Sequence, residues 1–319
     1  MFQAVKRCCL ANLARLAALT LLLLASSPLP AATELGDVTE IVFAVRLAYD
    51  DPHWYANIGY YCDDENHKAY AGNGAPDVGR LCKLNVNSGQ VTDLLNDPGG
   101  SVRDPQIHYD ADKVLFSYRK SGSHYYHLYE INIDGTGLRQ ITSGEFDDYE
   151  PAYLPDGGVV FVSTRCNCWV NCWMTQVGVI YRCDANGGNI RRLSHNAEHD
   201  NTPWVMPDGR ILHTRWEYID RNWMYHHLWT MNPDGTNQMV YYGNMHPNIV
   251  MIDAKPIPDS NWIVASFNAN HGKPGHYGHI ATLSGKKGPD DVSAVKVFQG
   301  NLTNDPFLEV QDGVFARDP

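Results

Sequence analysis

Cysteine and histidine are the residues of this chain whose type and spacing bear most directly on chemistry. Six of its eight cysteines lie beyond residue 32: Cys166, Cys168, Cys172 and Cys183 in one short stretch, and Cys62 and Cys82 as a second pair. In an exported chain, an even and clustered set is expected to form disulfides that tie down long loops, all six being candidates and a Cys62 to Cys82 bridge pinning the segment between them. A metal site is the rival reading. Zinc favours thiolates spaced by about two to four residues, which suits Cys168 and Cys172 better than the tight Cys166-Asn167-Cys168. Cys183 also aligns with apolar positions of neighbouring segments, so a buried thiol is a third expectation there. Among fourteen histidines, His271, His276 and His279 share a Gly/Pro-rich loop in which three imidazoles can converge on a metal, alone or with Cys166, Cys168 and Cys172. Ordinary loop histidines are the simpler expectation. No cofactor is predicted, and the identity of any metal is left open.

Charge and aromatic rings meet in Arg215-Trp216-Glu217-Tyr218-Ile219-Asp220-Arg221. Where a strand runs into a loop, Arg215, Trp216, Glu217, Tyr218, Asp220 and Arg221 are candidates for a ligand-facing rim. The competing expectation is an ion-pair lattice between repeats, because arginine recurs after the equivalent strands at Arg119 and Arg165. Several catalytic classes lack their signatures: there is no Gly-x-Ser-x-Gly elbow, Walker loop, Rossmann glycine fingerprint or His-Glu-x-x-His. The Asp-Gly pairs read as hairpin turns, since their acids lack the alternating spacing of a calcium loop.

The elements that must position these residues repeat along the chain. Short apolar runs occur at Ile41 to Arg46, Val114 to Arg119, Val159 to Thr164, Arg210 to Arg215, Trp262 to Phe267 and Gly313 to Ala316, after the first interval about every fifty residues. A second column follows at Leu81 to Leu84, Leu128 to Ile131, Ile180 to Cys183, Leu228 to Met231 and Ile280 to Leu283. Turns at Ser88-Gly89, Asp134-Gly135, Asn186-Gly187 and Asp234-Gly235 then lead into a further strand. Each unit therefore reads as four antiparallel strands. Four-stranded sheets at this period predict an all-β fold, a β-propeller of about five to six blades, whether complete or incomplete being left open. A β-sandwich would not repeat its turns at fixed register. The last unit, near Ile280, is poorly patterned, and whether residues 301–319 close the first blade is left open.

Composition agrees with many short strands and tight turns: 18 Tyr, 8 Trp, 27 Gly and 18 Pro. The formal charge is −11, and the first 32 residues contribute only basic residues to it, Lys6, Arg7 and Arg15. So acidic a surface disfavours nucleic-acid binding. Those three basic residues, the apolar run Leu16 to Ala25 and the small residues up to Ala32 read as a secretory signal peptide, too short to span a bilayer. The expected organisation is a signal peptide over 1–32 and a propeller domain over 33–319, periplasmic or secreted, with no membrane insertion once the signal is removed.

The unit Glu150-Pro151-Ala152-Tyr153-Leu154-Pro155-Asp156-Gly157, followed by Val159 to Arg165 and by Asn186-Gly187-Gly188-Asn189-Ile190-Arg191-Arg192-Leu193-Ser194, resembles the TolB-type (PD40) propeller repeat. Arg103-Asp104-Pro105, Phe116 to Lys120, Arg215 to Arg221, Leu228 to Thr236, Tyr242-Gly243-Asn244 and Ile257 to Ser260 resemble the middle, propeller domain of the hydrazine synthase alpha subunit family, over about residues 40 to 319. The resemblance implies the fold. The family's haem chemistry needs covalent attachment through Cys-x-x-Cys-His, which is absent here; Cys168 to Cys172 has the wrong spacing and is followed by Trp173. No catalytic residue is carried over. The expected function is a non-catalytic exported binding or scaffold module for a protein, peptide or glycan. The alternative is a metal- or haem-dependent, oxidoreductase-type enzyme subunit that uses the Cys/His clusters with a partner chain.

Overall fold

The computed structural model describes residues 36–45, 78–171, 175–220, 223–246, 249–269 and 279–298, without the side chains of 219, 220, 223, 224, 268 and 269. The signal-peptide segment, Cys62, Cys172, Arg221, His271, His276 and the terminal segment after 298 lie outside the described residues.

Contacts divide the chain into two units. The smaller comprises 1–41 and 84–91; in its described part the Asn85 and Val86 N–H groups donate to the Gln90 and Thr39 carbonyls. The larger unit, 42–83 and 92–319, carries the repeat.

The described residues form five successive antiparallel blades, and no helix among them is long and apolar enough to cross a membrane. The first has three strands, β1 (Glu40–Val45), β2 (Val78–Asn85) and β3 (Val91–Pro98). The second is β4 (Ser101–Ile107), β5 (Lys113–Arg119), β6 (His127–Asn132) and β7 (Arg139–Gln140). The third is β8 (Asp148–Tyr153), β9 (Val159–Ser163), β10 (Val179–Cys183) and β11 (Arg191–Arg192). The fourth is β12 (Asp200–Val205), β13 (Ile211–Asp220), β14 (Trp223–Met231) and β15 (Met239–Tyr242), and the fifth is β16 (Ile249–Pro256), β17 (Trp262–Ala269), β18 (His279–Ser284) and β19 (Val295–Val297). The fold is thus the β-propeller that the repeat implied. The poorly patterned fifth unit forms a complete blade all the same, because β16, β17 and β18 pair over most of their length.

Apolar runs without polar alternation form the middle strands because both faces of each blade are covered. In β5, Phe116 packs toward the first blade with Leu81 and Tyr129, whereas its neighbour Leu115 joins Phe161 and Val179 of the third. Ile180, Leu193, Ile211 and Met231 seal the next joint.

Hydrogen bonds lock these joints at one recurring irregularity. The first strands β4, β8, β12 and β16 each carry a β-bulge, and at it Asp104, Glu150, Thr202 and Asp253 adopt a left-handed φ of 50 to 57°. Such a φ is costly for a residue with a Cβ, most of all β-branched Thr202, and persists only where its surroundings over-determine it. Here they do. The Glu150 N–H donates to Asp104 Oδ2 at 3.1 Å, the Thr202 N–H donates to Glu150 Oε2 at 2.6 Å, and Arg103 donates to Glu150 Oε1 at 3.2 Å. Each acid therefore binds the bulge of the following blade. At the opposite edge, Gly187 and Gly235, both at positive φ, press their turns against the Ile141 and Leu193 carbonyls of the preceding blade, where a Cβ has no room.

Glu150→Ala leaves the Thr202 amide and Arg103 without this buried acceptor and is expected to cost about 3–5 kcal/mol, against a smaller loss for Glu150→Gln, which can still accept. Urea unfolding of both variants checks this ordering.

Candidate functional site

The hairpin of β13 and β14 is longer than its counterparts, with strands of 10 and 9 residues against 5 each for β9 and β10. Its added length carries β14 alongside β16, where His226 pairs with Val250 in parallel. Side chains alternate across the hairpin, so the antiparallel register sets His213, Arg215 and Glu217 on one face opposite Trp229, His227 and Tyr225. Trp216, Tyr218 and His226 take the other face.

That second face is structural. Trp216 is fully buried, stacked between His199 (5.8 Å, 28°) and His226 (5.3 Å, 17°), with Tyr218 edge-on at 5.9 Å. Its amide donates to the His199 carbonyl, and its own carbonyl accepts from Asn196. The stack holds the hairpin to the core shared with Tyr149 and Phe161.

On the first face, Arg215 lies over the Trp229 ring at 4.8 Å and reaches Glu217 at 3.3 Å and Asp200 at 3.8 Å. Glu217 also meets His227 Nε2 at 3.5 Å, and the His227 ring packs on Tyr225 at 5.3 Å. Glu217 remains 29% exposed, whereas His227 is almost wholly buried, so the group presents a charged and aromatic surface on an immobile base. His227 and Arg215 hold the Glu217 carboxyl below the usual range despite partial burial. Beneath it, burial and the nearby Arg215 push the His213 imidazole down to about 3, which keeps it neutral. The arrangement can orient a polar or aromatic ligand through a fixed guanidinium and carboxylate.

The arginines pair with acids of their own blades and also donate to the chain leaving the preceding one, Arg165 to the Ser143 carbonyl and Arg215 to the His195 carbonyl. Arg165 Nη2 meets Asp148 at 2.7 Å and Arg215 meets Asp200, each across adjacent strands of one sheet. An ion pair that crosses a joint, Arg103 with Glu150, comes from other residues. It was hidden because the bulge, and not the strand pattern, aims Glu150.

No protein-family model matches the chain. Hydrazine synthase subunit alpha of Kuenenia stuttgartiensis is 24% identical to it in an alignment covering 56% of this chain and 26% of that subunit. The structure of Kuenenia stuttgartiensis hydrazine synthase matches with a TM-score of 0.66 at 19% identity, over 83% of this chain and 40% of the other. A putative TolB from Agrobacterium tumefaciens matches with a TM-score of 0.53 at 16% identity, over 81% and 87% of the two chains. This is a hydrazine-synthase-like, TolB-like β-propeller. The likeness concerns the fold, and the alignment spans about a quarter of the curated subunit's length.

Of the residues singled out in the sequence, the propeller brings Arg215 and Glu217 together, and adds His227 to them. Trp216 was a candidate for an exposed rim and is instead the buried anchor of the hairpin. Asp220 sits at the hairpin's end, paired with Trp223. Cys82, Cys166, Cys168 and Cys183 stand as free thiols among the described residues, while Cys62 and Cys172, the other two of the expected staples, lie outside them. Cys82 is buried and donates to Asp93 Oδ1 at 3.3 Å; Cys183 pairs with Val159 in the core, as Ile131 does with Val114, and burial pushes its thiol up to about 12. Half-buried Cys166 donates to the Val177 carbonyl, next to exposed Cys168. Among the described residues no three His, Cys, Asp or Glu side chains are placed to hold a metal ion; His279 is buried in β18 opposite Phe267.

Two outcomes are expected. Trp216→Ala should cost about 3–5 kcal/mol of stability and Glu217→Ala at most about 1, as read by urea unfolding. Burial raises Asp147 and Glu198 to about 7 and Asp200 to about 6, above their values in an unfolded chain, so the native state binds extra protons between about pH 4 and 7. The resulting stability is complete below that window and lost as pH rises through it. The unfolding temperature should therefore be lower at pH 8 than at pH 5, and Asp147→Asn, which still accepts the Tyr126 amide, should flatten the difference.

Proposed function

We propose that this chain is an exported, non-catalytic propeller that acts as a binding or scaffold module and grips a protein, peptide or glycan partner at the rim formed by β13 and β14. The single observation that carries the reading is the partly exposed Arg215, Glu217, Tyr225 and Trp229 set on a hairpin whose other face is fixed by the buried Trp216 stack. Binding hot spots have this composition: arginine and large aromatic rings on a rigid support, which lose little entropy on association. Support for export comes from the basic residues and the apolar run within residues 1–32, which read as a signal peptide. The activity named for the hydrazine synthase relative is not assigned to this chain, whose sequence holds no Cys-x-x-Cys-His.

The test is capture. Mature protein is immobilised, and partners retained from an envelope extract of the source cell are quantified against a variant carrying Arg215→Glu and Glu217→Lys. Loss of about tenfold or more in one retained partner, with an unchanged unfolding temperature, is expected. Equal retention by both proteins overturns the assignment of this rim.

A further inference from the structure

The joint between the fourth and fifth blades contains a cleft of about 260 Å³, lined by Met206, Asp208, Arg210, Tyr241, Pro256 and Trp262 among others. At this joint two positions that carry long side chains elsewhere in the repeat carry short ones, and one of them, Pro256, lines the cleft. Tyr153, Val205 and Pro256 occupy one repeat position, since each ends its first strand opposite the residue that opens the next strand's core: Val159, Ile211 and Ile263. Glu130, Arg182 and Thr230 occupy a second, opposite Leu115, Val160 and Leu212.

At the joint of the second and third blades, the Tyr153 ring fills the space. Its hydroxyl donates to Glu130 at 2.9 Å, Lys113 lies 5.9 Å from its centroid, and its carbonyl accepts from the Tyr109 hydroxyl. At the next joint Val205 is small, but long Arg182 extends to Asp156 and to the Pro233 carbonyl. At the fourth-to-fifth joint both positions carry short side chains, Pro256 and Thr230. The cation that covers the ring survives: Arg210, immediately before Ile211, takes the place of Lys113, immediately before Val114. It is held by Asp208 and by Thr230 Oγ1. The half-buried rings of Tyr241 and Trp262 flank the opening, and Tyr241 is fixed over Gly285, where a Cβ has no room.

We propose that this cleft binds the side chain of a tyrosine presented by a partner protein, which occupies the fourth-to-fifth joint as Tyr153 occupies its own. The volume lies just below the ~300 Å³ at which pockets for drug-sized ligands begin, which suits one ring. A cation over the ring and aromatic walls favour a planar π system over an aliphatic group. Asp208, Ser260 and Asn261 offer acceptors to its hydroxyl. The proposal rests on the reading of the chain as a protein-binding module and adds a second contact point, separate from the β13–β14 rim.

Mature protein is titrated with the peptides acetyl-Gly-Tyr-Gly-amide and acetyl-Gly-Leu-Gly-amide, and with methyl β-glucoside, while the indole N–H resonance of Trp262, assigned through Trp262→Phe, is followed by NMR. The tyrosine peptide is expected to shift that resonance with at least about fivefold tighter binding than the leucine peptide. Pro256→Tyr restores the repeat's own filler and should weaken tyrosine-peptide binding at least about tenfold with no fall in unfolding temperature. Should that variant fail to fold, Arg210→Ala serves instead: it should weaken the tyrosine peptide about fivefold and leave the leucine peptide unchanged. Equal binding of the two peptides, tighter binding of the glucoside, or undiminished binding in the folded variant overturns the proposal. The capture experiment on Arg215 and Glu217 reports separately, so failure of the cleft and failure of the binding-module reading are distinguishable.

Discussion

An acid at the bulge of one blade, bound to the backbone amide at the bulge of the next, is the interaction on which the rest of the propeller depends. Asp104 accepts from Glu150, and Glu150 from Thr202. Each of these residues sits in a left-handed conformation that its own side chain disfavours, and the strain is held only because the neighbouring blade supplies the matching hydrogen bond. The constraint works in both directions. A blade without its neighbour has a strained bulge with no reward, and the Glu150 amide is held twice by the preceding blade, by Asp104 and by the Ser117 hydroxyl. Apolar packing supplies the driving force for stacking sheets, while this column fixes how far one sheet slides along the next, and so where every later side chain falls.

The β13–β14 hairpin shows what that positional control allows. Its two faces have separate duties, because side chains alternate along a strand. Trp216 and His226 belong to the core, and one residue away Arg215 and Glu217 remain partly open to solvent over the buried His227. The buried acids Asp147, Glu198 and Asp200 accompany this polar interior and tie its stability to mild acidity. The fourth-to-fifth cleft has the opposite origin. It is a place where the repeat omits a part, Pro256 standing where Tyr153 fills the joint two blades earlier.

Much of the architecture was legible in the residues. Val114 to Arg119 and Val159 to Thr164 mark central strands because a strand covered on both faces has no polar alternation, and Asp134-Gly135 or Asn186-Gly187 mark turns because glycine takes the positive φ there at little cost. The burial of Cys183 followed from its alignment with Ile131 and Met231. The site was legible in type and not in arrangement. Arg215 and Glu217 stood out as unusual, yet Trp216 was placed with them on a rim, since a run of consecutive polar and aromatic residues does not state which parity faces inward.

The sequence by itself determined the repeat, the strand order and the absence of familiar catalytic signatures, because these depend on local pattern and short spacing. Only the tertiary structure decided that Glu150 bridges two blades, that Glu217 meets His227, and that one joint is open. Each of these depends on register, on a bulge that turns a side chain by one position, or on comparing joints between residues about fifty apart. Such relations are set by how sheets pack against one another, and no local pattern of residues encodes them.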